Sequence, residues 1–133
     1  MSILKNVVPA LVIACIAAPC AHADAVVTPL MTKPLPECPG KEAQMLLVEY
    51  LPGSVDPIHR HDAHALIYVL EGSIVMQLKG GKEVTLTQGQ TFYEGPNDVH
   101  VVGRNASSTK PAKFLAVFVK RQGAPILTIE DSE

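Results

Sequence analysis

The chain has 133 residues, of which 47% are hydrophobic and 18% are charged, and 11 basic against 13 acidic side chains leave a formal charge of −2. This length is enough for one domain with one hydrophobic core, but not for two. A weakly acidic chain lacks the electrostatic attraction to phosphate on which nucleic-acid binding depends, so we expect no nucleic acid as a partner.

The N-terminal residues have the pattern of an export signal. Lys5 is followed by an almost entirely apolar run over residues 7–18, and a small-x-small sequence, Ala-His-Ala, ends at Ala23. The apolar run is shorter than a typical membrane-spanning helix, and prolines interrupt the N-terminal segment; both features disfavour a membrane anchor. We therefore predict a signal peptide over residues 1–23, and a periplasmic or secreted protein with no membrane contact after cleavage.

Cleavage at this point would also change the charge and the cysteine content. It would remove Lys5 and no acid, which lowers the formal charge from −2 to −3, and it would remove Cys15 and Cys20. Cys38 would then stand alone in an oxidising compartment, so no disulfide within the chain is expected. A buried or inert thiol is the expectation for Cys38, in preference to an intermolecular bridge or a redox role.

The remaining chain reads as an arm followed by short strands. Residues 24–41 are rich in proline and are predicted to form an N-terminal arm outside the core. The predicted strands then cover residues 44–51, 65–70, 73–78, 83–86, 91–93, 99–102, 113–120 and 126–129. Strands this short, separated by Gly, Pro, Asn and Asp, indicate an antiparallel sandwich or barrel. We predict one all-β domain over residues 42–129, followed by a tail over residues 130–133.

The candidate chemistry lies with the histidines. His59 and His61 are two positions apart, so on a strand both side chains leave the same face while Arg60 leaves the other. Imidazole is a common neutral ligand of zinc, iron, copper and nickel, so such a pair can hold one ion. The pair alone is a weak signal, because two surface histidines on a half-exposed strand give the same pattern.

Glycines around the histidines complete two spaced motifs. In the first, five residues separate Gly53 from the histidine pair, and Gly72 follows; in the second, ten residues separate Gly89 from His100. In this spacing the chain resembles the cupin superfamily, and small single-domain cupins in particular, from about residue 53 to residue 119. The resemblance implies an all-β, small antiparallel jelly-roll β-barrel that binds one divalent transition metal ion, either iron, manganese, zinc, nickel or copper. The metal ligands that it implies are His59, His61 and His100.

The chain departs from the family pattern at the fourth ligand. Counted back from Gly72, the glutamate that the family usually has falls on Ala65, which cannot bind a metal. His64 stands one position earlier and would face the ion only if a bulge turned it inward; otherwise it is an exposed histidine. Glu94 precedes the turn that leads to His100 and is either an acid near the ion or a solvated charge at a strand end. His64 and Glu94 are therefore candidate catalytic residues, which would move a proton if they face the cavity.

A site of three histidines without a carboxylate keeps open coordination positions, which is a catalytic layout more than a structural one. Cupins with such sites include dioxygenases, so the resemblance implies an oxidoreductase: a metal-dependent oxygenase, or a related enzyme, acting on a small oxygen-rich or aromatic compound. Two alternatives stay open, a non-catalytic module that binds a small ligand or metal, and a barrel in which the ion is only a structural clamp. Small cupins usually pair, and residues 113–120 are apolar enough to be covered, so a homodimer is expected.

Overall fold

The computed structural model describes residues 24–131, so the predicted signal peptide, residues 1–23, lies outside the described part. Ten strands are present there: β1 Val26–Pro34, β2 Lys41–Tyr50, β3 His59–Arg60, β4 Ala63–Glu71, β5 Ser73–Leu78, β6 Val84–Thr87, β7 Thr91–Glu94, β8 Val99–Asn105, β9 Ala112–Arg121 and β10 Thr128–Ile129. Every predicted strand overlaps one of these. Within residues 24–131 no helix is long and apolar enough to cross a membrane.

The strands form two antiparallel sheets of five strands each. Sheet one has the order β1-β2-β9-β4-β7, and sheet two has the order β10-β3-β8-β5-β6. From β2 to β5 and from β7 to β10 each strand lies in the opposite sheet to the one before it, so the chain winds back and forth across a common core. This connection is typical of a jelly roll, and the prediction of a small antiparallel jelly-roll β-barrel is confirmed.

The core lies between the two sheets because side chains alternate along each strand. On β9 the buried positions alternate with less buried ones such as Leu115; they are Ala112, Phe114, Ala116, Phe118 and Lys120. Large and small inward side chains thus alternate along this strand, which fills the barrel unevenly and leaves room for a cavity. Residues from both sheets complete the same core cluster, among them Leu46, Ile67, Ile74 and Met76.

The predicted N-terminal arm is in fact a strand. β1 pairs with β2 along its length, from Val26 opposite Glu49 to Pro34 opposite Glu42, with a register shift after Pro29. All nine residues of β1 are exposed, so the strand lies outside the core, as expected for an arm. Prolines are tolerated here because β1 is an edge strand, and one side of an edge strand needs no hydrogen-bond donors.

Cys38 lies in the turn between β1 and β2. Its amide donates a hydrogen bond to the Leu35 carbonyl at 2.9 Å, and its own carbonyl accepts one from Lys41 at 3.0 Å. The side chain is exposed, so the buried alternative is wrong, and an inert thiol stays a prediction. The physical reason is position, since this turn joins an edge strand to the sheet and projects away from the core.

Candidate metal centre

Four side chains converge inside the barrel: His59, His61, Glu94 and His100. Their candidate ligand atoms all lie within 4.8 Å of one another, and all four side chains are buried. His59 belongs to β3 and is directly opposite His100 of β8, while His61 follows β3. Glu94 is the last residue of β7, in the other sheet, so the cluster joins the two sheets of the barrel.

The spacing of the four side chains fits the coordination of one ion. The Nε2 atoms of His59 and His61 are 3.2 Å apart, and His100 Nδ1 lies 3.3 Å from His59 Nε2. Glu94 Oε2 lies 3.7 Å from His61 Nε2 and 3.6 Å from His100 Nδ1. Two nitrogens that each lie about 2.1 Å from one ion are separated by about 3.0 to 3.4 Å, depending on the coordination angle. The nitrogen distances fall in that range.

Backbone carbonyls fix the orientation of two of the imidazoles. The Nδ1 atom of His59 lies 2.8 Å from the Pro57 carbonyl, and that of His61 lies 2.7 Å from the Ile126 carbonyl. Carbonyl oxygens only accept hydrogen bonds, so each Nδ1 carries the proton and each Nε2 turns a lone pair towards the centre. Two lone pairs at 3.2 Å repel each other unless a cation lies between them. The same Nδ1–H to carbonyl contact orients metal-bound histidines in general.

The electrostatics of the cluster favour a cation for the same reason. Glu94 Oε2, which faces the histidine nitrogens, is buried without a hydrogen-bond partner in the described part of the chain. Burial, together with the charges of Asp98 and Asp56, raises the pKa of Glu94 to about 7. Burial lowers the pKa of His61 and of His100 to about 4, so both imidazoles are neutral at pH 7 and able to bind a metal.

The sequence predicted a neutral site of three histidines, but the cluster also contains the carboxyl group of Glu94. The alternative of a solvated strand-end charge is wrong, because its side chain is buried. Glu94 is directly opposite Ala65 in the pairing of β7 with β4, and Ala65 is the position where a glutamate was expected from the family pattern. The short alanine side chain leaves room beside it, and the carboxylate comes from the neighbouring strand.

His64 lies on the other side of the sheet. Its neighbours Ala63 and Ala65 are buried, whereas His64 is exposed and hydrogen-bonds through Nδ1 to the Tyr93 hydroxyl at 2.7 Å. The bulge that would turn it inward is absent, since β4 pairs with β9 in continuous register from Ala63 to Val69. The candidate catalytic role of His64 is therefore wrong, and its exposed alternative is the correct one.

The cluster opens into a cavity of about 110 Å³. Its walls are mostly apolar and come from both sheets and from the segment that follows β9; they include Leu46, Val48, Ile67, Met76, Phe114, Phe118, Ile126 and Leu127. Two further polar side chains, Tyr50 and Asp56, also line it. The site therefore combines four converging ligand atoms with a half-open cavity for a molecule of a few non-hydrogen atoms.

The C-terminal segment closes one side of this cavity. Lys120 is buried and donates hydrogen bonds to Glu42 Oε1 at 2.5 Å and to the Ala124 carbonyl at 2.7 Å, which holds the segment as it leaves β9. Farther along, β10 pairs with β3, and Arg60 forms an ion pair of 2.6 Å with Glu130. Arg60 thus makes the surface salt bridge expected of a side chain that faces away from the ligands.

Comparison with known proteins identifies the family. Residues 46–118 match the family model of the cupin domain, which is more than half of the chain. The chain therefore belongs to the cupin family, as its fold and the converging histidines indicate. No curated protein matches the chain significantly.

Solved structures with a similar fold include a cupin-like protein and two enzymes. A cupin-like protein from Thermotoga maritima is 19% identical with a TM-score of 0.64, and the match covers 81% of this chain and 77% of that one. An oxalate oxidase in complex with the substrate analogue glycolate is 24% identical with a TM-score of 0.60, covering 79% and 54%. DMSP lyase DddQ from Ruegeria pomeroyi is 17% identical with a TM-score of 0.57, covering 65% and 42%. The chain thus spans less than half of the length of that lyase.

Proposed function

We propose that this cupin binds one divalent transition metal ion through His59, His61, Glu94 and His100, and that it acts as an enzyme on a small oxygen-rich or aromatic compound. One observation carries the proposal: backbone carbonyls hold two Nε2 lone pairs 3.2 Å apart and facing each other. Nothing except a cation or a shared proton makes that arrangement favourable in a buried site. The donor set of imidazole and carboxylate suits iron, manganese, nickel, copper or zinc.

The fourth ligand decides whether an open position remains. A four-coordinate ion would be saturated by three histidines and one glutamate, which is the layout of a structural site. A six-coordinate ion would keep two positions for a ligand from the cavity, where it would polarise a bound oxygen group. The adjoining cavity supports the second arrangement, because a purely structural ion needs no cavity beside it.

The protein contributes binding and water exclusion around the ion. Apolar side chains such as Phe118 and Ile126 line the cavity next to the cluster and limit the access of water. An oxalate oxidase and a DMSP lyase are among the structures with this fold, which supports an enzyme over a structural barrel. An oxygenase reaction is our first hypothesis, and a non-catalytic module that binds a small ligand is the alternative.

Metal analysis tests the metal site. We expect protein purified after export from its native host to contain about one transition metal ion per chain, and the His59→Ala variant to contain almost none. Glu83→Gln is a matched control that removes a charge from an exposed ion pair with Arg104. Metal well below one per chain in the native protein, with no change in His59→Ala, would contradict the proposal.

Turnover is tested on the loaded protein. Oxygen consumption is measured with small phenols and oxo acids, and product formation is followed by mass spectrometry. An oxygenase should consume oxygen only when metal and substrate are both present. Tight binding of a small compound without turnover would favour the non-catalytic alternative, and unfolding on metal removal alone would favour the structural one.

Export and pairing are part of the same proposal. The mature N-terminus of exported protein should follow Ala23, which N-terminal sequencing would establish. The outer face of sheet one exposes Leu66, Tyr68 and Tyr93 as neighbours across β4 and β7, an apolar patch suited to a second copy. Light scattering should therefore give the mass of a dimer, and a monomer at high concentration would contradict this expectation.

A further inference from the structure

A buried tyrosine and aspartate form a second polar group in the cavity. The Tyr50 hydroxyl, on a side chain that is 1% exposed, donates a hydrogen bond to Asp56 Oδ2. The Tyr50 ring packs edge to face on Phe114 with centroids 5.1 Å apart, and the Asp56 amide donates to the Gly103 carbonyl at 2.8 Å. Both side chains are fixed, and neither belongs to the four-residue cluster.

This pair lies next to the candidate metal ligands at Gly103. A Cβ atom on Gly103 would lie 2.9 Å from Asp56 Oδ2, 2.9 Å from His100 Cε1 and 3.2 Å from the Tyr50 hydroxyl. Three polar groups therefore meet around one point of β8, where any side chain would collide with them. Since the cluster and the pair also line the same cavity, a molecule held at one group is within reach of the other.

The charges of the cavity restrict what can bind there. Among the described residues that line it, Asp56 and Glu94 are the acids, and no lysine or arginine is present. A divalent ion and two carboxylates together carry no net charge when both acids are ionised. An anionic ligand would add a negative charge that no cationic side chain offsets, whereas a neutral ligand would add none.

We propose that Asp56 determines specificity by accepting a hydrogen bond from the distal N–H or O–H of a small neutral ligand whose oxygen atoms bind the ion. The preferred class is a neutral hydroxyl or amide compound, and an anionic oxygen at the distal position is disfavoured. The inference rests on the proposed function, because the ion holds the other end of the ligand.

Two probes of the same size separate charge from shape. Glycolate and glycolamide have the same number of non-hydrogen atoms and both can chelate an ion through the hydroxyl and one carbonyl oxygen. At the distal position glycolate has an anionic oxygen and glycolamide has an amide donor. Their binding to the Co²⁺-loaded protein is followed by the visible spectrum of the ion at mildly alkaline pH.

The quantity measured is the ratio of the two dissociation constants. Asp56→Asn should shift this ratio at least about tenfold towards glycolate, because it removes the repelling charge and the strong acceptor. Tyr50→Phe is the matched control: it breaks the same hydrogen bond but keeps the charge, so its ratio should change by less than about threefold. Co²⁺ stoichiometry should be the same in all three proteins. If Asp56→Asn does not fold, Asp56→Ser takes its place.

The outcomes separate this inference from the proposed function. If the wild-type protein binds no Co²⁺, the metal site and this inference are both overturned. If Co²⁺ binds but the ratio is unchanged in the Asp56 variant, or neither probe alters the spectrum, only the specificity role of Asp56 is overturned. A similar shift in Tyr50→Phe would also overturn it, because the effect would then come from local disruption of the pair.

Discussion

The two sheets contribute to the candidate metal centre in different ways. Sheet two and the residues next to it supply His59, His61 and His100, which follow sequence motifs with fixed spacing. Sheet one supplies Glu94, which no motif indicated, at the end of β7 opposite Ala65. The ligands of one ion can thus come from strands of both sheets, whereas the spacing of a motif describes only the ligands within its own stretch of sequence.

The largest expected effect separates an inward histidine from an outward one. His61→Ala should weaken metal binding by a factor of about 1,000, because it removes one of four ligands from a preformed site. His64→Ala should leave the affinity unchanged, since His64 is exposed on the opposite face of β4. Competition titrations with a chelator of known affinity measure both. An equal loss of metal affinity in the two variants would show that His64 also faces the cluster.

The charge of Glu94 should appear in the pH dependence of the metal-free protein. Burial raises its pKa from 4.5 to about 7, so the folded state holds this proton more tightly than the unfolded state. The resulting stabilisation is fully present below pH 4.5 and is lost as pH rises through about 7. The Glu94→Gln variant has no carboxyl group to ionise and avoids that loss. The difference in the free energy of unfolding, variant minus wild type, should therefore increase by up to about 3 kcal/mol as pH rises from 4.5 to about 7.

Urea unfolding at a series of pH values makes this comparison. The histidines with lowered pKa give a stability that is present above pH 6.5 and lost as pH falls towards 4 in both proteins, so the difference reports Glu94 together with its coupling to them. Parallel curves for wild type and Glu94→Gln would contradict a buried, proton-binding Glu94. Adding a transition metal should remove the difference in slope, because a bound cation keeps the carboxylate ionised.

A carboxylate transfer tests the strand pairing directly. Glu94→Ala should weaken metal binding by a factor of about 100, and the double variant Ala65→Glu, Glu94→Ala should recover at least about tenfold by supplying the carboxylate from the opposite residue of β4. Ala65→Glu alone should not strengthen binding, because two carboxylates would then compete for one ion. The double variant could have a native circular dichroism spectrum and still bind metal no better than Glu94→Ala. This result would contradict the idea that a carboxylate at position 65 can replace Glu94.

The smallest effect is expected outside the barrel. Glu130→Gln removes the charge that pairs with Arg60 at a partly exposed position, and should change the free energy of unfolding by no more than about 0.5 kcal/mol. Thermal unfolding and chelator competition would both be close to wild type. A clear loss of metal affinity in this variant would show that the C-terminal segment influences the cluster through β3, where Ile129 pairs with His59.

The sequence allowed most of the fold to be predicted, because alternating apolar positions and turn residues define short strands. Its failures have physical causes. β1 contains two prolines, Pro29 and Pro34, and was therefore predicted to be an arm; only its pairing with β2 identifies it as a strand. The burial of Glu94 likewise depends on how β7 pairs with β4, which the sequence does not show.

The candidate site was predictable where residues are close in sequence. His59 and His61 share a face through the period of a strand, and the spacing of Gly89 and His100 completes the motif. Glu94 required the register between β4 and β7, which depends on how strands from distant parts of the chain pair. The sequence analysis named Glu94 as a candidate but did not name Asp56. The contact of Asp56 with Tyr50 and its approach to Gly103 depend on the packing of three separate segments.

The placement of Glu94 opposite Ala65 has a consequence for evolution within this fold. Facing residues on neighbouring strands project a side chain into nearly the same volume, so two positions can hold a ligand for the same ion. A lineage can therefore acquire a second carboxylate before losing the first, and remain able to bind metal at each intermediate stage. Searches for related sites that require one fixed ligand spacing will overlook chains in which this exchange has taken place.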